Sequence, residues 1–389
     1  MLPKLQDGTM AEKRKRGSDQ SGLTLSSVLV DSQEKQEVVF IGLYPVTQEK
    51  GRRGEDPVRG GKNMEIVYAS DDHYVQHMAV SIRSLIAHNQ NEDLRIHILS
   101  DGITEDHLAL IRQEITEAGK EAVIYPLEDL KSTLEKRVPG LDTGRFHITT
   151  LARLLLGSIL PEEIHKVLYL DCDTVVLHSL EALYMLRLSG CTAAMAPEPT
   201  IYKEVRDILQ LTPKDIYYNA GVLLLNLQEW RERKLEEESF SYYNQMHGRL
   251  PFNDQDILNH VLRNQTVTLG QRFNFFSNYY YFRYSTLLSL DANYGFCETK
   301  KTFHKAKHHP VIVHYAGDER PWIAGSMNHY GRAYGKYLAM TAFRNAGREE
   351  GKRGYMALYH LMNIATFVAP ALRKMASSAY YQKQKEKQK

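Results

Sequence analysis

The residues best placed to do chemistry are Asp171 and Asp173, which flank Cys172 where the apolar run at residues 166–170 ends and Thr174-Val175-Val176 begins. Strand side chains alternate faces, so both carboxylates are expected on one side, with Cys172 as a core-facing spacer. Carboxylates set side by side repel unless a cation neutralises them, and hard oxygen ligands suit magnesium or manganese. An Asx turn closing the strand is the plain alternative, and the pair alone leaves both readings open.

Other residues extend that idea. His314 ends the apolar run Val311-Ile312-Val313 and would add an imidazole to the two carboxylates, a mixed set that manganese accepts with positions left for ligand oxygens. A hydrogen-bonded core histidine is the alternative. Gly317 permits close backbone approach, and Arg320 offers a planar cation to phosphate oxygens. Together these residues imply a metal-bound diphosphate, the chemistry of sugar transferases and of nucleotidyltransferases. Asp71 and Asp72 end another strand and could equally form a turn. Arg153 sits on a leucine-rich helix, where its stem could simply cover apolar surface. Asn219 could cap a turn, and Asp254 and Asp256 fall in a first helical turn, where the macrodipole favours acids.

The elements that must position these groups follow from periodicity. Residues 64–69, 94–99 and 122–125 read as strands separated by helical patterns, an order that requires right-handed crossovers and a largely parallel sheet. A helix around residues 149–156, capped by Thr149 or Thr150, leads into the Asp171 strand. Short strands are expected at 192–195 and 311–315, a buried one at 217–226, and a charged helix at 229–246. A sheet of this kind binds ligands beyond the carboxyl ends of its strands, where Asp71, Asp72, Asp171 and Asp173 all fall.

The 389 residues carry a net charge of only +2, which gives no overall bias toward nucleic acid or membrane. Three scattered cysteines without a CxxC exclude a zinc knuckle and a disulfide framework and fit a reducing, cytoplasmic setting. The first thirty residues lack the apolar core of a secretory signal, and the weakly charged run 357–372 falls short of the roughly 20 apolar residues of a spanning helix. Residues 1–63, with the runs Lys13-Arg14-Lys15-Arg16 and Arg52-Arg53-Gly54-Glu55-Asp56, read as a disordered or non-native extension interrupted by a strand-like run at 38–44. Gly60-Gly61-Lys62-Asn63 before Met64 can be encoded by a purine-rich ribosome-binding sequence, so translation is expected to begin at Met64. The 326–389 segment reads as helical and basic. Leu358, Leu361, Met362, Ala365 and Phe367 make an apolar stripe ahead of Arg373, Lys374, Lys383, Lys385, Lys387 and Lys389. That pattern fits an anionic membrane surface or a packed helix with a solvated tail.

Over residues 64–325 the ordered motifs resemble glycosyltransferase family 8, the family of glycogenin and bacterial lipopolysaccharide galactosyl- and glucosyltransferases. They are Tyr68-Ala69-Ser70-Asp71-Asp72-His73, Thr149-Thr150-Leu151-Ala152-Arg153, Leu170-Asp171-Cys172-Asp173, Asn219-Ala220-Gly221, Asp254-Gln255-Asp256 and His314-Tyr315-Ala316-Gly317 through Pro321-Trp322. The resemblance implies an α/β, Rossmann-like A-type glycosyltransferase fold with a mostly parallel central sheet flanked by helices and a helical C-terminal extension. It implies a retaining hexosyltransferase that takes glucose or galactose from a UDP-sugar to a glycan, lipid-linked or protein-linked acceptor. Manganese or magnesium would be held by Asp171, Asp173 and His314. Ala69, Asp71 and His73 match uridine-side positions, and Gly317 and Arg320 match diphosphate positions. Asn219, Arg153, Asp254 and Gln255 match residues lining the donor sugar, the last three being the catalytic candidates. Two positions depart from the family pattern: His73 stands where asparagine is common, and Arg320 replaces a lysine. A sugar nucleotidyltransferase and an inactive nucleotide-sugar-binding protein are the alternatives. The expected location is cytoplasmic, with peripheral contact at the inner membrane face through the basic end.

Overall fold

The computed structural model describes residues 23–32, 35–45, 63–144, 146–188 and 190–368. The chain forms two units, Met1–Arg53 and Gly54–Lys389. In the first, β1 (Leu23–Ser32) and β2 (Lys35–Pro45) pair antiparallel from Leu23 opposite Pro45 to Ser32 opposite Lys35. β2 contains the strand-like run at 38–44; β1, diluted by serines, gave no such signal. The rest of the expected N-terminal extension and the basic end beyond residue 368 lie outside the described residues.

The second unit is built on β3 (Met64–Asp71), β4 (Leu94–Asp101), β5 (Glu121–Pro126), β6 (Lys166–Leu170), β8 (Ala193–Pro197), β9 (Tyr218–Asn226) and β10 (Thr266–Thr268), with β7 (Thr174–Val176) set apart. Among the described residues these form a seven-stranded sheet ordered β10-β8-β9-β6-β3-β4-β5. β9 runs antiparallel to both neighbours, β6 and β8; the other pairings are parallel. The near-unbroken apolar runs of β3, β6 and β9 are what burial on both faces demands, and their side chains are almost wholly enclosed. The chain passes outward from β3 through β4 to β5, then returns to the other side of β3 as β6. The sheet therefore reverses direction between β3 and β6, where an open α/β sheet forms its ligand crevice. These two strands pair only through Ile66–Leu168 and Val67–Tyr169, so their carboxyl ends separate beyond that point.

Three local expectations are corrected. The segment at 149–156 is a 3-10 helix, Ile148–Leu155, running into the single α-helical turn Leu156–Ile159. Its cap is His147, whose ring accepts from Thr149 N, while the Thr149 hydroxyl donates to Asp101 at 2.6 Å. The charged helix at 229–246 is two helices, Leu227–Glu232 and Leu235–Gln245, parted at Lys234, whose φ of 54° no helix accommodates.

Beyond the sheet, the helix Gly331–Leu338 packs Tyr334 and Tyr337 onto the helix Val75–His88, with hydroxyls 2.8 Å from His77 Nδ1 and 2.7 Å from His88 Nε2. The helix Arg353–Val368 is turned against its apolar stripe. Met356, His360, Asn363 and Thr366 face inward, whereas Leu358, Leu361 and Ile364 are 60%, 64% and 64% exposed. Among the described residues no helix is long and apolar enough to cross a membrane.

Candidate active site

Strand β6 stops at Leu170, and Asp171-Cys172-Asp173 forms a turn rather than the expected strand continuation. The turn is closed by the Thr174 hydroxyl donating to Asp171 O at 2.8 Å. The turn and the candidate metal-ligand pair are thus the same object. Cys172 does face inward, its thiol donating to Ala69 O at 3.2 Å. After the turn the chain leaves the main sheet as β7 and joins a second sheet, ordered β11-β12-β7, with β11 (Phe275–Phe276) and β12 (Ile312–His314). Antiparallel pairing sets His314 opposite Thr174, and Tyr315 N donates to Asp173 O at 2.9 Å. That ladder is what brings the imidazole to the aspartates.

His314 Nε2 lies 3.1 Å from Asp173 Oδ1 and 3.8 Å from Asp171 Oδ2. The candidate ligand atoms of the three residues all fall within 4.8 Å of one another. Asn274 Oδ1 sits 2.9 Å from His314 Nδ1, which directs Nε2 to the carboxylates as an outer partner of a metal-bound imidazole does. Two carboxylates and one imidazole, so oriented, fit manganese or magnesium with positions left for ligand oxygens. Burial tends to raise the Asp173 carboxyl, but the His314 ring and Arg320 hold it well below the usual carboxylate range. Burial works against protonation of His314, yet Asp173 and Asp171 raise it.

Arg153 does not spread its stem over the surface. It is 4% exposed and bridges two carboxylates, with Nη2 2.6 Å from Asp171 Oδ1 and Nε 3.1 Å from Asp254 Oδ2. Nη1 donates to Ala220 O at 2.8 Å, and the guanidinium lies 4.4 Å from the centre of the Tyr169 ring. Asp254 is 5% exposed; burial outweighs Arg153 and pushes its carboxyl up to about 6.

Beside these lies a continuous amide network. Asn274 Nδ2 donates to Asn219 Oδ1 at 2.8 Å, and Asn219 Nδ2 donates to Gln255 Oε1 at 2.8 Å. Gln255 Nε2 donates to the Tyr217 hydroxyl at 2.9 Å, which donates to Asp256 at 2.7 Å. Glu198 Oε2 accepts from both Asn219 and Gln255 at 3.0 Å. Glu198, Asn274 and Tyr217 were not singled out from sequence. Glu198 could have been: it follows β8 directly, so the rule of ligands beyond strand carboxyl ends covers it.

On the β3 side the expected residues are partly occupied. Asp71 Oδ1 accepts from Tyr74 N at 2.9 Å, an Asx-type turn into the next helix, and Oδ2 lies 3.4 Å from His147 Nδ1. Asp72 accepts from Thr104 N and from His107, so it braces the helix Glu105–Glu117. His73 is exposed, and the Ala69 carbonyl is held by the Cys172 thiol. Gly317 adopts φ +92°, with the nearest neighbour of an added Cβ at 3.9 Å, so its backbone stands open to a ligand. Arg320 donates from Nε to Gly317 O at 3.0 Å and from Nη1 to the Tyr74 hydroxyl, between the Tyr74 and Trp322 rings.

Comparison with known proteins gives a consistent result. The profile of glycosyl transferase family 8 matches residues 65–325. General stress protein A of Bacillus subtilis (strain 168) is 24% identical over 296 residues, covering 75% of this chain and 98% of that protein. The lipopolysaccharide 1,2-glucosyltransferase of Escherichia coli (strain K12) is 24% identical over 261 residues, covering 67% of this chain and 72% of its own. Among solved structures, the galactosyltransferase LgtC in complex with donor and acceptor sugar analogs aligns with a TM-score of 0.58 at 25% identity, over 75% of this chain and 99% of that one.

Proposed function

The chain belongs to glycosyltransferase family 8, and from that membership we propose that it moves glucose or galactose from a UDP-sugar to a hydroxyl of a glycan, lipid-linked or protein-linked acceptor, with retention at the anomeric carbon. The observation that carries the reading is the meeting of Asp171, Asp173 and His314 at the crevice between β3 and β6. The rival nucleotidyltransferase reading needs a glycine-rich, basic loop after the first strand. Ser70-Asp71-Asp72-His73 occupies that place, and its two aspartates brace helix starts.

A divalent cation held by Asp171, Asp173 and His314 would neutralise charge developing on the departing diphosphate. Arg320 and the open Gly317 backbone would meet the same group and add fixed positive potential beside the packed rings of Tyr74, His77 and Trp322. His77 stacks on Trp322 at 3.9 Å, and burial holds its imidazole down at about 3, so it contributes bulk without charge. Asn219, Gln255 and Glu198 present amide and carboxylate groups suited to orienting donor hydroxyls. A hydroxyl-reading site discriminates sugars by which of its polar groups would go unpaired.

Asp254, the carboxylate candidate for a double displacement, is buried and engaged by Arg153 at 3.1 Å. That engagement favours attack by the acceptor hydroxyl on the face the diphosphate leaves, with a leaving-group phosphate oxygen taking the proton. A covalent glycosyl-enzyme trapped on the wild-type protein would overturn that route. The reading as a whole is tested by a manganese-dependent UDP-release screen across UDP-glucose, UDP-galactose and related donors. Release from at least one donor, abolished by chelator, is expected; absence of release from all of them would return the chain to the nucleotide-sugar-binding alternative.

The outward apolar face of the helix Arg353–Val368, followed in sequence by basic residues, suits peripheral contact with an anionic lipid surface. Co-sedimentation with anionic vesicles should be lost on removing the residues after Leu372. Unchanged sedimentation of the truncated protein would remove the lipid contact.

A further inference from the structure

The loop that follows β12 carries Gly317 and Arg320 and, between them, Asp318 and Glu319. Glu319 is 1% exposed, an unusual place for a carboxylate. Its side chain is held by the helix Arg353–Val368. His360 Nδ1 lies 3.2 Å from Oε1, and Asn363 Nδ2 donates to Oε2 at 3.2 Å. The Tyr281 hydroxyl donates to Oε1 at 3.4 Å, and Asn328 Nδ2 donates to the Glu319 carbonyl at 2.6 Å. On the other side of the ring, His360 Nε2 lies 3.0 Å from Met327 N and 3.1 Å from Gly325 O, which fixes the imidazole with Nδ1 facing Glu319. The same helix reaches Asp318, whose Oδ2 accepts from the Tyr355 hydroxyl at 2.7 Å. Just before the helix, Glu349 exchanges backbone hydrogen bonds of 2.8 Å with Trp322 and Ala324. Every one of these supports from residues 349–363 lies beyond the segment matched by the family profile, which ends at residue 325.

We infer that the helix Arg353–Val368 is a working part of the donor site: His360, Asn363 and Tyr355 are positioning residues that, through Glu319 and Asp318, set the loop presenting Gly317 and Arg320 to a diphosphate. This rests on the diphosphate-binding reading of that loop. The physical argument is the contrast between its two sides. Facing the crevice, Arg320 is held by Gly317 O and by the Tyr74 hydroxyl, contacts that a phosphate can displace. On its inner side, Glu319 is fixed by buried partners, and a buried carboxylate that loses a donor pays the desolvation cost of its unmet oxygen. The inner side therefore fixes where the outer side can move. The inward polar face of the helix, otherwise at odds with its sequence pattern, is explained by that task.

The test separates phosphate affinity from nucleoside affinity on the full chain. Binding of UDP and of uridine is measured with manganese present for wild type, Asn363→Leu, His360→Ala, His360→Gln and Tyr355→Phe. Asn363→Leu and His360→Ala should weaken UDP about tenfold and raise the donor KM alike, with uridine affinity and kcat changed much less. His360→Gln, which keeps a donor for Glu319, should restore most of the loss. Tyr355→Phe removes one half-exposed hydroxyl and cannot unfold the chain, so it remains informative if the others misfold; a shift of about threefold confined to UDP is expected. UDP and uridine weakening in parallel, or UDP unchanged in all four variants, would overturn the inference. A wild type that binds UDP no better than uridine would instead defeat the underlying reading of the loop.

Discussion

Exchanging Gly221 for alanine is expected to abolish productive metal binding while leaving the protein folded. Gly221 lies in β9, and its carbonyl accepts from Asp171 N at 2.8 Å, so the two backbones are locked side by side. A Cβ at Gly221 would stand 2.3 Å from His314 Cε1, 2.9 Å from His314 Nδ1 and 2.7 Å from Asp171 Oδ2. Ordinary contacts of a carbon need about 3.5–4.0 Å, so something must move. His314 cannot retreat easily: Asn274 holds one nitrogen, and the Phe276 ring packs edge-on at 5.4 Å. Asp171 is tied to Arg153 at 2.6 Å. The yielding groups are thus two of the three candidate ligands, displaced by an ångström or more. Loss of an outer orienting partner alone costs a metal site about 10–100-fold in affinity, and displacing ligands directly should cost at least about 100-fold. Manganese titration by calorimetry reads this, with UDP release as the functional counterpart. Manganese affinity equal to wild type would show that the cation is held elsewhere.

That glycine marks where the sequence stopped being readable. The strands β3, β4 and β6 were legible because their apolar runs and intervening helices follow from burial and periodicity, and the convergence of Asp71 and Asp171 followed from the rule about strand carboxyl ends. The triad Asp171, Asp173 and His314 was legible by residue chemistry and by resemblance. Its cause was not. A period of two says which face a side chain takes but not where the strand ends, so the turn at Asp171-Cys172-Asp173 stood in the sequence only as an alternative to the metal pair, not as its frame. The pairing of β7 with β12 involves strands of three residues, too short to carry a periodic signal. In the sequence Gly221 is only one residue of the Asn219-Ala220-Gly221 motif; what it contributes is the absence of a Cβ, which only the meeting of three distant segments reveals. Asn274 has the same character. It is an ordinary polar residue until tertiary contacts assign its partners, and for the helix Arg353–Val368 such contacts reverse the face that its apolar stripe would suggest.

Replacing Arg153 with methionine should be the most destabilising single change in the site, and its cost should grow with pH. Methionine keeps much of the stem volume, so the test isolates charge and hydrogen bonding. The guanidinium is 4% exposed and serves Asp171, Asp254, Ala220 O and Thr150 O at once. Its removal leaves Asp254 buried without a counter-ion, in a cluster that already contains Asp171 and Asp173. Breaking a buried pair in this way costs about 3–5 kcal/mol. The pH dependence follows from Asp254. Its folded pKa, about 6, lies above the roughly 4 of an unfolded aspartate, because burial outweighs the attraction of Arg153. Between those values the folded state binds more protons than the unfolded one, so this carboxyl's contribution to stability is fully present below pH ~4 and is lost as pH rises toward 6. Without Arg153 the folded value moves higher still, and the loss must continue past pH 6. Denaturant unfolding with chelator present should therefore show a larger gap between wild type and Arg153→Met at pH 8 than at pH 5. Adding Asp254→Asn should narrow the gap and flatten its dependence on pH, because the buried group no longer ionises. An equal gap at both pH values would mean that Arg153 acts through its hydrogen bonds to Ala220 and Thr150, and that Asp254 is neutralised by another group.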